Sequence, residues 1–152
     1  MMMNDKNRFI HLPHTADIKI RAFGKNLPDL FTNALYGMFC SIVPQIKTES
    51  YISYEHLTCD TLEEKRELDV ASIDLSSLLV DFLSDAWYLS DVHNEAYFDM
   101  NVKEFSETHM KTILCGSKIN GFDEGEIKAV TYHDLVIKEE NGLWIAEIIF
   151  AI

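Results

Sequence analysis

Apolar residues along this chain recur with two periods, and the two periods predict both strands and helices. Residues 17–23 alternate apolar and charged side chains, which predicts a half-buried strand. A helical period follows, and we expect this helix to begin after the capping residue Asn26 and to end before Pro44. Its apolar stripe is Leu27, Leu30, Phe31, Ala34, Leu35, Met38, Phe39 and Ile42.

A second helical period begins after Asp74, another residue type that caps helices. Its apolar positions are Leu75, Leu78, Leu79, Phe82, Ala86 and Leu89. Between the two helices the pattern is weaker, because residues 51–57 alternate only faintly and residues 68–73 suggest a returning strand. We therefore expect a hairpin over residues 49–73.

The chain after residue 91 has the two-residue period of β-structure almost throughout. Residues 96–105 and 109–119 alternate on either side of a polar turn, and Glu140–Gly142 is a hairpin turn into the last strand. That strand, 143–152, is apolar on both faces, so we expect it to lie inside the sheet. The stretch Gly125–Asp134 is polar on both faces, which is typical of an edge strand.

These elements predict an α+β fold, a two-layer α/β sandwich in which two helices pack on one face of a mostly antiparallel sheet of five to seven strands. The length of 152 residues favours a single domain over residues 1–152. No apolar window reaches the roughly 18 residues of a membrane span, and the first residues lack the apolar core of a signal peptide. A soluble, cytoplasmic protein is expected.

Charge and cysteine usage narrow the function classes. The chain carries 25 acidic and 13 basic residues, a formal net charge of -12. Direct nucleic-acid binding is not expected from this balance, because phosphate contacts need clustered lysine and arginine. Cys40, Cys59 and Cys115 are scattered, so their spacing indicates neither a zinc site nor a full disulfide set, and a reducing compartment fits best.

Two polar clusters near the ends of the chain are the candidates for chemistry. In the first, His14 and Asp17 lie three residues apart, which suits a metal-ligating pair or a hydrogen-bonded structural pair. A last strand inside the sheet can place residues 151 and 152 beside Asp17, and oxygens gathered there would suit calcium or magnesium. No third histidine lies nearby, so a catalytic zinc site lacks its ligand set.

The second cluster contains Lys128, His133 and Asp134. Lys128 is either a partner for phosphate or carboxylate groups or a solvated lysine that pairs with Glu126 or Asp17. His133 and Asp134 are adjacent in a predicted strand and should face opposite ways, so we expect no pairing between them. No P-loop, nucleophile elbow or H-E-x-x-H motif accompanies either cluster.

Several ordered motifs in this chain resemble those of the archease family. They are His14–Gly24, Leu30–Ala34, Gly37–Phe39, Leu78–Leu83 with Tyr88–Leu89, and Ile127–His133. The resemblance implies a small two-layer α/β protein that assists RtcB-type RNA ligases, which join RNA ends in tRNA splicing and repair. Archeases help such a ligase to acquire guanylate and to turn over repeatedly. They are regarded as activators, so we expect no enzymatic activity of the chain itself.

The same resemblance implies a divalent-cation site, with calcium as the usual ion, at Asp17, Ala151 and Ile152. It also implies a functional lysine at Lys128. This chain has Ala151 where the family commonly has an aspartate, so one acidic ligand is lost. We therefore expect cation binding that is weaker than in relatives, or absent at physiological calcium or magnesium.

Other functions stay open from the sequence. A chaperone-like modulator of a tRNA-modifying enzyme, such as a tRNA methyltransferase, is also suggested for the family that the chain resembles. A metal-dependent hydrolase would use His14, Asp17 and His133, and the two histidines are also candidates for contact with a partner protein. A purely structural interaction module would leave both polar clusters unexplained.

Overall fold

Two α-helices and eight β-strands make up the part of the chain that the computed structural model describes, namely residues 8–42, 44–46, 57–122 and 125–152. The elements in chain order are β1 (Phe9–Leu12), β2 (Ile18–Gly24), α1 (Leu27–Ser41), β3 (Pro44–Ile46), β4 (Glu64–Ala71), α2 (Leu75–His93), β5 (Glu95–Phe105), β6 (His109–Phe122), β7 (Ala129–Glu140) and β8 (Leu143–Ala151). The predicted α+β class and both predicted helices are confirmed.

The strands form two antiparallel sheets. The first has the order β1-β2-β8-β7, and in the second the long strand β6 pairs with β3, β4 and β5. We expected one sheet, but alternation identifies a strand without identifying its neighbours. Helix α1 packs against β2 and β5, and α2 packs against β7 and β4, so each helix contacts both sheets. A single apolar core therefore joins the two sheets through the helices.

Side-chain caps start both helices at the predicted residues. Asn26 accepts a hydrogen bond from the Asp29 N–H at 2.8 Å, and Asp74 accepts one from the Ser77 N–H at 2.8 Å. Helix α2 ends at Asn94, whose φ of 55° lies in the left-handed region. Of the residues described, no helix combines the length and the apolar character that a membrane crossing requires.

Strand β8 lies between β2 and β7, as its apolar pattern predicts. Ala146, Ile148 and Phe150 are fully buried along it. The turn from β7 into β8 has positive φ at both Asn141 (52°) and Gly142 (78°), which is the backbone of the two-residue hairpin turn that Asn-Gly favours. This hairpin brings the end of β8 back to the beginning of β2 and of β7.

The weakly patterned stretch differs from the prediction. Strand β4 is present, but it pairs with β6, and the first arm of the predicted hairpin lies outside the described residues except for Leu57. Cys59 and Cys115 form a disulfide, although their spacing gave no indication of one. The two cysteines are 56 residues apart, and sequence spacing cannot reveal that the turn containing Cys59 lies against β6.

A buried polar cluster surrounds Glu95, whose side chain is fully buried at the start of β5. Arg66 donates two hydrogen bonds of 2.8 Å to its carboxylate. The Tyr97 hydroxyl donates another at 2.7 Å, and Lys118 Nζ a fourth at 3.1 Å. Burial alone would raise the pKa of Glu95, but these donors lower it from its ordinary 4.5 to about 2. We call these four residues the Glu95 cluster.

Candidate functional site

The first polar cluster of the sequence lies where β2 begins and β8 ends. Ile18, the first residue of β2, pairs with Phe150 in the antiparallel register. Asp17 precedes Ile18 and Ala151 follows Phe150, so the register brings Asp17 and Ala151 to the same end of the sheet. A last strand inside the sheet, as its apolar pattern predicts, makes this adjacency possible.

The beginning of β7 joins the same end of the sheet. Ala129 pairs with Ala151, and the Lys128 N–H donates a hydrogen bond of 2.7 Å to the Ala151 carbonyl. The backbones of Asp17, Lys128, Ala151 and Ile152 are thereby brought to one corner, which we call the Asp17 corner. The corner thus combines both arms of the β7–β8 hairpin with the start of β2, which comes from the other end of the sequence.

The charged side chains of the Asp17 corner are accessible, and they are not engaged by the part of the chain that the structure describes. Asp17 is half-buried and Lys128 is exposed. Within the described residues, no hydrogen bond or ion pair joins either side chain to another residue. The pairing of Lys128 with Glu126 or Asp17 that the sequence left open is therefore not observed. Both charged groups are available to a second molecule.

Ala16, immediately before Asp17, has an unusual backbone conformation. Its φ is 68°, in the left-handed region. The other non-glycine residues with positive φ in the described part of the chain are Asn94, Asp134 and Asn141, which are residue types that tolerate this region. Alanine is not such a type, and its identity gives no signal of this conformation. The strain lies directly beside the candidate site, as strained backbone often does.

The donor groups at the Asp17 corner do not fit a dedicated cation site. Asp17 supplies the one side-chain carboxylate and the Ala151 side chain supplies no donor, so the other oxygens are those of the Ala151 and Ile152 backbone, and the Ala151 carbonyl also accepts the Lys128 N–H. Among described residues, no group of three or more histidine, cysteine, aspartate or glutamate side chains could hold a metal ion. A calcium ion takes six to eight oxygen ligands, far more than one side chain offers.

The two candidate histidines lie apart from each other along the fold. His14 is exposed in the connection between β1 and β2. His133 lies five residues beyond Lys128 along β7. It is in the irregular part of β7 between Thr131 and Val136, where the register with β8 shifts.

The prediction that His133 and Asp134 do not pair is wrong. The His133 Nε2 lies 3.4 Å from the Asp134 Oδ2. Asp134 has a φ of 54°, so the regular alternation of side chains fails at this position and the two neighbours turn to the same side. Both side chains are exposed, and the pair is separate from the Asp17 corner.

A model of the Archease protein family matches residues 9–152 of this chain. A protein named archease from Methanosarcina mazei is 33% identical over 155 aligned positions, which cover 97% of this chain and 98% of the relative. A protein of the same name from Pyrococcus abyssi is 32% identical over 149 positions, covering 93% of this chain and 96% of the relative.

Solved structures with the same fold are also found. The solution structure of Methanobacterium thermoautotrophicum protein 1598 is 25% identical with a TM-score of 0.71, covering 96% of this chain and 99% of the other. The crystal structure of a Thermotoga maritima protein described as an archease and possible chaperone has a TM-score of 0.59 at 19% identity. It covers 93% of this chain and 94% of the other. At that identity the likeness concerns the fold alone.

Proposed function

Because this chain belongs to the archease family, we propose that it is an accessory protein that activates an RtcB-type RNA ligase in tRNA splicing or RNA repair. In this role it promotes guanylylation of the ligase and its multiple turnover, and it joins no RNA ends itself. The family match over residues 9–152 supports the accessory role, which is the role that the resemblance to this family implies.

The observation that carries this proposal is the Asp17 corner. Asp17 and Lys128 come to the same end of the sheet through two register pairings with β8. Neither side chain is used by the described part of the fold. Charged residues that are held near each other without structural partners are available for contacts with another protein. We propose that these two contact the ligase near its nucleotide site.

The net charge of the chain supports a partner of opposite potential. A formal charge of -12 on 152 residues creates a negative field that favours encounter with a basic cleft. Enzymes that hold RNA ends and GTP present such clefts, because phosphates must be neutralised there. The same field gives association a strong dependence on ionic strength.

The test is RNA ligation by the RtcB-type ligase of the same genome, with the accessory protein at one tenth of the ligase concentration. Asp17→Asn and Lys128→Met should each reduce ligation turnovers about tenfold or more, because removing one charge of a desolvated pair at an interface costs roughly 2–5 kcal/mol. Guanylylation of the ligase, measured in a single turnover, should slow in parallel.

Matched controls change the same residue types elsewhere. Asp60→Asn and Lys103→Met alter exposed residues in a turn and on β5, and both should activate as wild type does. If Asp17→Asn and Lys128→Met also activate fully, the corner is not the contact site. If the wild-type protein activates no ligase, the proposed function itself is wrong.

A second candidate is a chaperone-like modulator of a tRNA-modifying enzyme, a role that is also suggested for the family to which the chain belongs. Affinity purification of the tagged chain from its own cells distinguishes the two. Enrichment of a tRNA methyltransferase without the ligase would favour the second candidate. We do not propose the hydrolase that would use His14, Asp17 and His133, since the described residues offer no three-ligand group.

A further inference from the structure

A cleft opens beside the C-terminal end of α2, where it faces the end of β6 and the segment before β7. Its volume is about 380 Å³, within the range of small ligand sites. Trp87, Ser90 and Asn94 line it from α2 and its cap, and Phe122 and Glu126 line it from the opposite side.

Ser90 gives the first sign that the cleft is a binding site. Ser90 is 1% exposed, and its hydroxyl oxygen has no hydrogen-bond partner within the described structure. A buried hydroxyl without a partner costs free energy, so such groups are rare and call for an explanation. A ligand in the cleft that donates a hydrogen bond to the Ser90 hydroxyl would supply the missing partner.

The wall of the cleft is aromatic. The Trp87 and Phe122 rings lie 5.1 Å apart between centroids, and Phe39 packs against both at 5.9 and 6.4 Å. Because Phe39 is fully buried, this group of rings is anchored in the core. A flat or cationic group can stack against the part of Trp87 that remains accessible.

The rim of the cleft is acidic. Asp91 and Glu126 both line it and both are exposed. The exposed Asn94 adds an amide oxygen that can accept a hydrogen bond. Of the described residues that line the cleft, none is a lysine, arginine or histidine. The charge of the cleft therefore favours a cation and opposes an anion.

We propose that this cleft binds the guanidinium group of an arginine side chain presented by a partner protein. Guanidinium is planar and cationic, and it stacks on tryptophan while its five N–H groups donate to surrounding acceptors. The carboxylates of Asp91 and Glu126 and the Ser90 hydroxyl provide such acceptors. Free arginine fits less well, because its own carboxylate would enter the acidic rim.

Arginine binding in this cleft does not depend on the ligase proposal. The cleft can bind arginine whether or not the partner is an RNA ligase, and its test uses no ligase. The cleft and the Asp17 corner also use different residues, so variants of one should leave the other intact.

The test is titration of the full chain with N-acetyl-arginine amide, followed by amide and indole NMR resonances. The Trp87 indole and Ser90 amide signals should shift and saturate, with a Kd on the order of 1 mM for a ligand of this size. The Trp144 indole is the internal control and should not move. N-acetyl-citrulline amide, a neutral analogue of the same shape, should bind about tenfold more weakly or worse. Free arginine should also bind more weakly than the amide.

Variants locate the binding site. Asp91→Asn and Glu126→Gln should each weaken binding of the arginine amide about fivefold or more, while Glu104→Gln, an exposed acid on β5, should leave it unchanged. Ser90→Ala should weaken binding and should leave the melting temperature unchanged or higher, because it removes a buried hydroxyl that lacks a partner.

Three results would overturn the proposal. The first is that the arginine and citrulline amides bind equally well. The second is that the Trp87 indole signal shows no saturable shift up to the solubility limit of the ligand. The third is that neither Asp91→Asn nor Glu126→Gln weakens binding. A melting temperature that falls in Ser90→Ala would show that the hydroxyl already has a partner, and the cleft would lose its main support.

Discussion

The Glu95 cluster and the Asp17 corner contain the same kinds of residue in opposite situations. At Glu95 a fully buried carboxylate receives hydrogen bonds from Arg66, Tyr97 and Lys118. At the corner, the acid and the lysine reach no partner in the described chain. Buried charges that are fully paired hold a fold together, whereas accessible charges without partners are free to act on other molecules. Charge type alone does not distinguish the two.

The largest effect on stability is expected from breaking the Glu95 cluster. Glu95→Ala removes the acceptor of the buried Tyr97 hydroxyl and of the partly exposed Arg66 and Lys118 charges, which should cost about 2–3 kcal/mol. Urea unfolding followed by circular dichroism measures this loss. Glu67→Ala, an exposed acid on β4, is the control and should change stability by less than about 0.5 kcal/mol. A loss below about 1 kcal/mol in Glu95→Ala would contradict the structural role.

The same cluster should make stability depend on pH in the acid range. The pKa of Glu95 is lowered to about 2 in the folded protein, so the unfolded chain takes up this proton first as the pH falls below about 4.5. The contribution of ionised Glu95 to the free energy of unfolding is therefore full above that pH and is lost progressively as the pH falls toward 2. The difference in unfolding free energy between wild type and Glu95→Gln should be smaller at pH 3 than at pH 6. A constant difference would contradict the lowered pKa.

At the Asp17 corner, adding an acid should restore cation binding. Ala151→Asp supplies a second carboxylate close to Asp17, and we expect calcium to bind about tenfold more tightly than to wild type by isothermal titration calorimetry. Ala71→Asp adds the same charge to an exposed position on β4, in the other sheet, and should not increase affinity. Tight calcium binding by wild type that Ala151→Asp does not improve would refute the expectation of a weakened site.

A smaller effect is expected from relieving the backbone at Ala16. Glycine adopts a φ of 68° without the steric cost that alanine carries, so Ala16→Gly should raise the unfolding free energy by about 1 kcal/mol. Asn94→Gly is the matched control, because asparagine already tolerates the left-handed region, and its effect should be only a few tenths of a kcal/mol. A destabilised Ala16→Gly protein would show that this conformation is not strained.

The sequence predicts those features that depend on neighbours along the chain. Asn26 and Asp74 predict where the two helices begin, because capping is a local interaction. The apolar run of β8 likewise predicts that this strand lies inside a sheet. That central place made a meeting of residues 17 and 151 possible, and the register of β8 with β2 brings it about. The arrival of Lys128 at the same corner depends on the register of β7 with β8, which local pattern does not reveal.

The features that escaped prediction depend on residues far apart in sequence or on one backbone angle. Alternation could not show that β4 and β5 flank β6 in a second sheet, nor that Cys59 lies against Cys115. The His133–Asp134 pair follows from the positive φ of Asp134, which breaks the rule that neighbours in a strand face opposite ways. The unpartnered hydroxyl of Ser90 is visible only once its surroundings are known.

The most direct test of this account measures stability and ligase activation on the same preparation of Asp17→Asn. We predict an unfolding free energy within about 0.5 kcal/mol of wild type, because no described residue pairs with this side chain. We also predict that ligation turnovers fall to the level seen without the accessory protein. Full activation by a stable Asp17→Asn protein, or loss of activation that is explained by unfolding, would contradict the assignment of the Asp17 corner to function.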